Sequence, residues 1–284
     1  MNLKLIKIAL LLTCHNRKDK TLECLKSLFR QEGLDDKFTI GVFLVDDGST
    51  DGTAEAINLM FPSVNIIQGD GNLYWNRGMH LAWKTAADTS DFDYYLWLND
   101  DTFLENDAIK ILLIKKFDNG IVCGSTRSSI NKQISYGGYK KKDILIEPNG
   151  EFQMCDYLNG NCVLISKMVF VNVGNLDPIF QHALGDFDYG LRARKMGIDL
   201  YVAPKFIGVC DTHMEAPKWM STSVKIKDRI KNLYSASSGC YPPEFFVYDK
   251  RHNGLLSACF HFFTIHLRVM FPSLINKNNL SRWF

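Results

Sequence analysis

The sequence predicts an α/β fold with a mostly parallel sheet flanked by helices and a helical extension at the C-terminal end. Three observations carry this prediction. Short continuous apolar runs of strand length recur through the first hundred residues, segments of helical periodicity lie between them, and polar turn-forming clusters follow the runs. Such alternation marks βαβ units, whose parallel sheet offers ligand sites at the carboxyl ends of its strands. The chain has 284 residues, 46% of them apolar, enough for one large α/β domain with an appendage or for two small domains.

Each element follows from its residues. Residues 5–13, LIKIALLLT, form a run rich in Leu and Ile that suits a strand covered on both faces. Lys4 and Lys7 interrupt the apolar opening and no small-residue cleavage site follows, so the run reads as a buried strand rather than a leader. From Asp19 to Phe29 the residues Leu22, Leu25, Leu28 and Phe29 recur at helical spacing, and Gly33 lies past the expected end. FTIGVFLV (38–45) is the second strand. The turn formers from Asp46 to Gly52 then lead into a helix near residues 54–60, with Ser49 or Thr50 expected as its cap.

VNIIQ (64–68) and YYLWL (94–98) are the third and fourth strands, residues 121–165 are strand-like and punctuated by glycine, and residues 186–197 read as a helix. Beyond about residue 215 the character changes. WMSTSVKIKDRIKNLY is basic, Tyr241-Pro242-Pro243 breaks the chain, and a helical pattern resumes near Gly254. There Leu256, Phe260, Phe263, Leu267 and Phe271 form one stripe. Two readings of it stay open: a helix lying on a bilayer surface, or one capping the core. The expected division is an α/β domain over 1–215 and a basic, aromatic helical extension over 216–284.

Composition narrows the function. With 33 basic and 31 acidic residues the net charge is only +2, which gives no bulk attraction to nucleic acid. The eight cysteines include no CxxC pair and read as free thiols in a reducing compartment. No stretch of roughly twenty uncharged apolar residues predicts a spanning helix.

Four places carry candidate chemistry. VDDGSTDGT (45–53) sets acids and small turn formers where a strand gives way to a helix, so Asp46 or Asp47 can hydrogen-bond a base or ribose; the alternative is a capped turn without a ligand. Asn99-Asp100-Asp101 ends a buried strand in adjacent carboxylates whose repulsion a cation relieves, and hard oxygen ligands favour magnesium or manganese over zinc. A solvated turn explains the same residues without metal. Asp186 and Asp188 open a helix, where one suits chemistry while the other caps the helix or pairs with Arg192. His213, in VCDTHM, suits either a metal site or a structural place.

In this order the residues resemble family-2 glycosyltransferases of the GT-A, Rossmann-like fold, especially bacterial enzymes that build surface polysaccharides, from about Ile8 to His213. LLTCHNRKDKTLECLKSL is similar to the family's first strand, nucleotide-binding loop and helix, which implies nucleotide contacts from Thr13, Asn16 and Arg17. VDDGSTDGT, with Asp46 and Asp47, resembles the second nucleotide loop. Asn99-Asp100-Asp101 resembles the acidic metal motif, implying Asp101 as a metal ligand; Asn99 stands where many members have Asp, leaving Asn99 or Asp100 as ribose or phosphate contacts. GDFDYGLRARKMG resembles the catalytic-base motif, with Gly185 in place of the common Glu and Asp186 at the base position. His213 falls where many relatives have a metal-binding histidine. Gly69–Met79 resembles a subgroup's donor loop, in which glycines such as Gly71 and Gly78, with Asn72, approach the diphosphate. Trp75 either stacks on a sugar or packs in the core.

The resemblance implies a hexosyltransferase-like, metal-dependent, inverting enzyme. It would use Mn2+ or Mg2+ and a nucleotide-sugar donor (a UDP- or dTDP-sugar), with Asp186 as general base. The implied acceptor is a hydroxyl of a lipid-linked glycan in O-antigen or capsule synthesis. The setting is cytoplasmic, peripheral at the inner membrane face, on the strength of Lys225, Lys227, Arg229, Lys231 and the Phe stripe. Two rivals are a metal-dependent sugar nucleotidyltransferase, which would release pyrophosphate, and a catalytically silent binding subunit of the same fold. A strand-end aspartyl phosphatase is disfavoured because Asn99 occupies the nucleophile position, and a nicotinamide enzyme because no GxGxxG follows the first strand.

Overall fold

The computed structural model of the chain describes residues 5–34, 38–115, 119–141, 143–212 and 217–272. The four apolar runs are β1 (Ile6–Cys14), β2 (Phe38–Asp46), β3 (Val64–Gln68) and β4 (Tyr94–Leu98), with α1 (Lys18–Phe29), α2 (Thr53–Met60) and α3 (Tyr74–Thr89) between them. The glycine-punctuated middle begins with β5 (Phe103–Leu104), α4 (Ala108–Leu113) and β6 (Gly120–Arg127). Short strands β7 (Ile134–Tyr136), β8 (Gly138–Lys140), β9 (Ile144–Leu145), β10 (Gln153–Cys155) and β11 (Tyr157–Leu158) follow. Next come β12 (Cys162–Ser166), α5 (Lys167–Val173), α6 (Gly185–Lys195) and β13 (Asp199–Val209), then α7 (Ile226–Leu233), α8 (Pro242–Asn253) and α9 (Leu255–Met270).

The main sheet has the order β10-β13-β6-β12-β4-β1-β2-β3, with β5 beside β13 and β7 beside β6. Along that path β13, β6, β4, β1, β2 and β3 share one direction, while β12 and β10 run against it. Register decides what meets at the strand ends. Cys14 pairs with Asp46 and Leu11 with Trp97, so the loops after β1, β2 and β4 emerge side by side. The antiparallel β12 pairs Cys162 with Leu98, which brings its preceding residues Gly160 and Asn161 to the same edge.

Both faces of the sheet are covered, which is why the runs are apolar throughout rather than alternating. Ile8, Leu10 and Leu12 join one core with Leu25 and Leu28 of α1 and Leu112 of α4. Ala9 and Leu11 join the other with Trp83 of α3 and Tyr189 of α6. Each fully buried side chain of this size contributes roughly 1.5–3 kcal/mol relative to its exposed state. A second sheet, β11-β8-β9, stands beside the main one.

The structure corrects several sequence expectations. The donor-like loop ends at Leu73, and a sixteen-residue helix begins at Tyr74. Its amides are capped from elsewhere, since the Asp47 carboxylate accepts from Gly71, Leu73 and Tyr74 N–H groups at 2.9 Å. Helix α2 is not capped by Ser49 or Thr50: those residues hydrogen-bond Asn16, while Asp51 accepts from the Thr53 amide. Pro242 starts α8 rather than simply breaking the chain, as suits a first-turn position that needs no N–H.

Helix α9 packs inward through Ile265 and Val269, which join Trp219, Leu233 and Cys240 in a small core. The stripe read from the sequence faces outward instead, with Leu256 88%, Phe260 63% and Phe263 62% exposed. Helix α9 thus does cap a core, but through Ile265 and Val269 rather than through that stripe. Arg229 is buried, which leaves Lys225, Lys227 and Lys231 as the exposed cations of that group. The cysteines described are free thiols, and all but Cys259 are buried. Among the described residues no helix is long and apolar enough to cross a membrane.

Candidate active site

The loops that leave the strand ends enclose a cleft of about 1230 Å3. That exceeds the 300–1,000 Å3 usual for one small ligand. Thr13, Arg17, Asp47, Trp75 and Asn99–Asp101 line it, as do Gly160 and Asp186. The structure thus brings together six of the predicted nucleotide-contact residues (Thr13, Arg17, Asp47, Trp75, Asn99 and Asp100), the metal candidate Asp101 beside them, and the predicted base.

At the end of β4 the two adjacent carboxylates are bridged by one guanidinium. Arg17 Nη1 donates to Asp100 Oδ1 at 2.9 Å and Nη2 to Asp101 Oδ2 at 2.6 Å. This planar fork suits paired carboxylates better than a point-charge ammonium does. Burial, opposed by the charge of Arg17 and reinforced by that of Asp101, pushes the Asp100 carboxyl up to about 7. Asp101 Oδ1 faces Cys210 Sγ at 3.6 Å, where β13 reaches the same edge. His213, three residues on, lies outside the described residues. Among the described residues no group of three or more His, Cys, Asp or Glu side chains is set to hold a metal. The oxygens of Asp100 and Asp101 still fit a hard cation of the kind that uses one or two carboxylates and completes its shell from phosphate and water.

Asp186 lies across the cleft, in the first turn of α6. Its Oδ2 accepts from Gly160 N–H at 2.8 Å and its Oδ1 from Phe187 N–H at 2.9 Å. The side chain is half-buried and keeps a face on the cleft. Its withdrawal from bulk water pushes the carboxyl up to about 6, against the lowering effect of the two amides. Both glycines beside it are sterically required. A Cβ on Gly160 would strike the Trp75 ring, and one on Gly185 would strike the Asn76 side chain. At residue 185 the start of α3 fills the space that any side chain would need. Trp75 in turn donates from Nε1 to Asn99 Oδ1 at 2.7 Å, tying the base side of the cleft to the acidic side.

The remaining predicted residues shape the loops. Asp46 is buried and accepts from Ser49 N–H, Asn16 is exposed and bonds Ser49 and Thr50, and Asn72 is exposed. Gly71 holds φ +85°, and Gly78 packs directly on the Thr13 side chain. Asn16, Asp46, Gly71, Asn72 and Gly78 do not belong to the cleft lining. Of the acid pair on α6, Asp188 accepts from Arg192 Nε at 2.8 Å, as one of the sequence readings had it.

Sequence reasoning missed the opposite wall. Tyr139 and Tyr157 stack at 5.1 Å, with Phe187 edge-on to both, and Phe245, Tyr248, Asp249, His252 and His261 of α8 and α9 complete the lining. The only local signal for the C-terminal contribution was helical periodicity, which does not say where a helix docks.

The family described as glycosyl transferase family 2 matches residues 10–173, more than half of the chain. The match covers the β1, β2 and β4 loops with Arg17, Asp47 and Asp101; Asp186 and His213 lie beyond it. No curated protein sequence matches the chain significantly. Among solved structures, the mannosyltransferase PcManGT from Pyrobaculum calidifontis, in complex with GDP-Man and Mn2+, is similar in fold. It has a TM-score of 0.56 and 15% identity over 95% of this chain and 72% of that one.

Proposed function

This chain belongs to glycosyl transferase family 2, and from that premise we propose that it is a metal-dependent, inverting transferase that moves a sugar from a nucleotide-sugar to a glycan hydroxyl. The observation that carries this reading is Asp186: a half-buried carboxylate held by two backbone amides, facing a cleft whose far wall is the Asp100–Asp101 pair. A single base placed this way takes the proton of an acceptor hydroxyl as its oxygen attacks the anomeric carbon, and one displacement inverts that centre. Residues 1–215 are assigned to this chemistry, and 216–284 to the helical extension that completes the cleft.

Thr13, Arg17, Asp47, Asn99 and Asp100 line the side assigned to the nucleotide and its diphosphate, with Trp75 beside Asn99. Asn16, Asp46, Gly71, Asn72 and Gly78 support those loops from behind. A divalent Mn2+ or Mg2+ would be held by Asp101, with His213 as the second protein ligand proposed from sequence. When bound, it supplies positive charge where the leaving diphosphate becomes more negative. The donor is proposed to be a UDP- or dTDP-sugar. The test is a thermal-shift screen of UDP-, dTDP- and GDP-sugars with and without manganese, followed by product analysis of the stabilising donor. A rise in melting temperature and release of nucleoside diphosphate are expected. Pyrophosphate release would instead identify a sugar nucleotidyltransferase.

The exposed Leu256, Phe260 and Phe263 stripe, with Lys225, Lys227 and Lys231 nearby in the extension, supports a peripheral contact with an anionic membrane. On this reading the chain works at the cytoplasmic face on a lipid-linked glycan acceptor, in O-antigen or capsule assembly. The chain is expected to float with vesicles containing anionic lipid, and a Leu256→Ser, Phe260→Ser, Phe263→Ser variant to lose most of that association. Equal flotation of the two proteins removes the membrane assignment.

A further inference from the structure

The buried carboxylate of Asp188 sits two residues beyond the proposed base and is held mostly from outside its own helix. Its Oδ2 takes the Nε of Arg192, but its Oδ1 takes Arg251 Nη1 at 2.8 Å and His252 Nε2 at 2.9 Å, both from α8. Burial opposes its ionisation, yet hydrogen bonds from His252 and the two arginines, with the charge of Arg192, hold its carboxyl below the ordinary value. The second arm of Arg251 reaches Asp177 Oδ2 at 2.7 Å. One guanidinium therefore joins α6 to the segment that delivers the chain into it.

That segment, residues 174–184, is otherwise held by α3 and, at its beginning, by Arg192 of α6, whose Nη2 donates to the Asn175 carbonyl at 3.0 Å. Asn76 Nδ2 donates to the carbonyls of Asp177 and Phe180 at 2.8 Å, and Arg77 Nε to that of Pro178 at 2.8 Å. It ends at Leu184, which sits in the left-handed region at φ +70°, immediately before Gly185 and Asp186. A non-glycine residue in that region is held there by its surroundings rather than by its own preference. The grip of α3 fixes one side of the segment, Arg192 ties its beginning to α6, and the fork of Arg251 fixes the spacing from α6 further along, at Asp177.

We infer that Arg251 is a positioning residue for transfer: by bridging Asp177 and Asp188 it sets the first turn of α6, and so the placement of Asp186 in the cleft. The C-terminal helices are then part of the catalytic apparatus and not only a wall of the cleft. The inference rests on the transfer reading above and adds to it a residue more than sixty positions away in sequence from the base.

The test compares Arg251→Met and Arg251→Lys with the wild type in kcat, donor KM, and donor binding by thermal shift. A misplaced base costs turnover and spares donor affinity. Arg251→Met is expected to lower kcat roughly ten- to hundredfold while leaving donor KM within about threefold. Arg251→Lys keeps the charge but not the fork and is expected to fall between. Wild-type kcat in a folded Arg251→Met protein overturns the inference, and so does loss of donor binding in step with loss of turnover, which would mean general collapse. Should Arg251→Met not fold, Arg251→Lys decides, with a kcat deficit at unchanged donor KM in favour and full kcat against. A wild type without transfer activity overturns the reading beneath the inference, whereas full kcat in the variants of an active enzyme overturns the inference alone.

Discussion

Asp186→Asn is expected to lower transfer turnover about 10²- to 10⁴-fold with little change in donor affinity. The substitution keeps the size of the side chain and an oxygen for the Gly160 or the Phe187 amide, gives up the other of those two hydrogen bonds, and removes the ability to take a proton. The same carboxyl predicts a pH profile. Since it titrates near 6 and acts when ionised, turnover should rise through about pH 6 and then level off. Its effect on stability has the opposite sense. The folded chain retains a proton at pH values where an unfolded carboxyl, with its ordinary value of 3.8, has already lost it. Ionisation of this group therefore opposes folding increasingly as pH rises from about 4 to 6, and that opposition is fully present above about 6. The melting temperature of Asp186→Asn relative to the wild type should therefore rise as pH goes from about 4 to 6 and stay constant above that. Full transfer activity in the Asn variant would falsify the base assignment, whatever its stability.

Chelation is expected to abolish transfer, and Asp101→Ala to blunt the restoring effect of manganese far more than Asp51→Ala does. The two acids differ in what they hold. Asp101 lies in the cleft against Arg17, whereas Asp51 spends its oxygens on Thr53 and on the Lys18 amide, away from the cleft lining. A readout independent of turnover is manganese binding in the presence of nucleoside diphosphate, followed by electron paramagnetic resonance. Turnover that persists in chelator, or equal metal responses in the two variants, removes Asp101 from its proposed place.

The elements that were legible in the sequence are those whose causes are local. β1, β2 and β4 carry runs of buried residues, β3 is a short apolar strand at the sheet edge, and α1 carries its core face as Leu22, Leu25 and Leu28, so local pattern alone places them. What was not legible depends on partners distant in the chain. The start of α3 is fixed by Asp47, which a local reading assigns to a ligand because its capping role appears only when β2 and the following loops meet. The outward turn of the Phe stripe on α9 follows from Trp219, Leu233 and Cys240 meeting its opposite face. The candidate site was legible where a motif places acids at strand ends, as at Asp101, or opens a helix, as at Asp186. The fork of Arg17 and the contribution of α8 have no such signature, because each is a contact between segments separated by some sixty or more residues.

Gly160 and Gly185 also bear on how such a site can diversify. With an indole and an amide from α3 pressed against them, the floor beneath Asp186 has no spare volume, and even one added methyl group there displaces the helix that borders the donor side. The aromatic and C-terminal wall opposite carries no comparable restriction from these glycines. Substitutions at Tyr139 or Tyr157 are therefore expected to alter the shape of the cavity without moving the floor, whereas any side chain at Gly160 or Gly185 has to shift its neighbours.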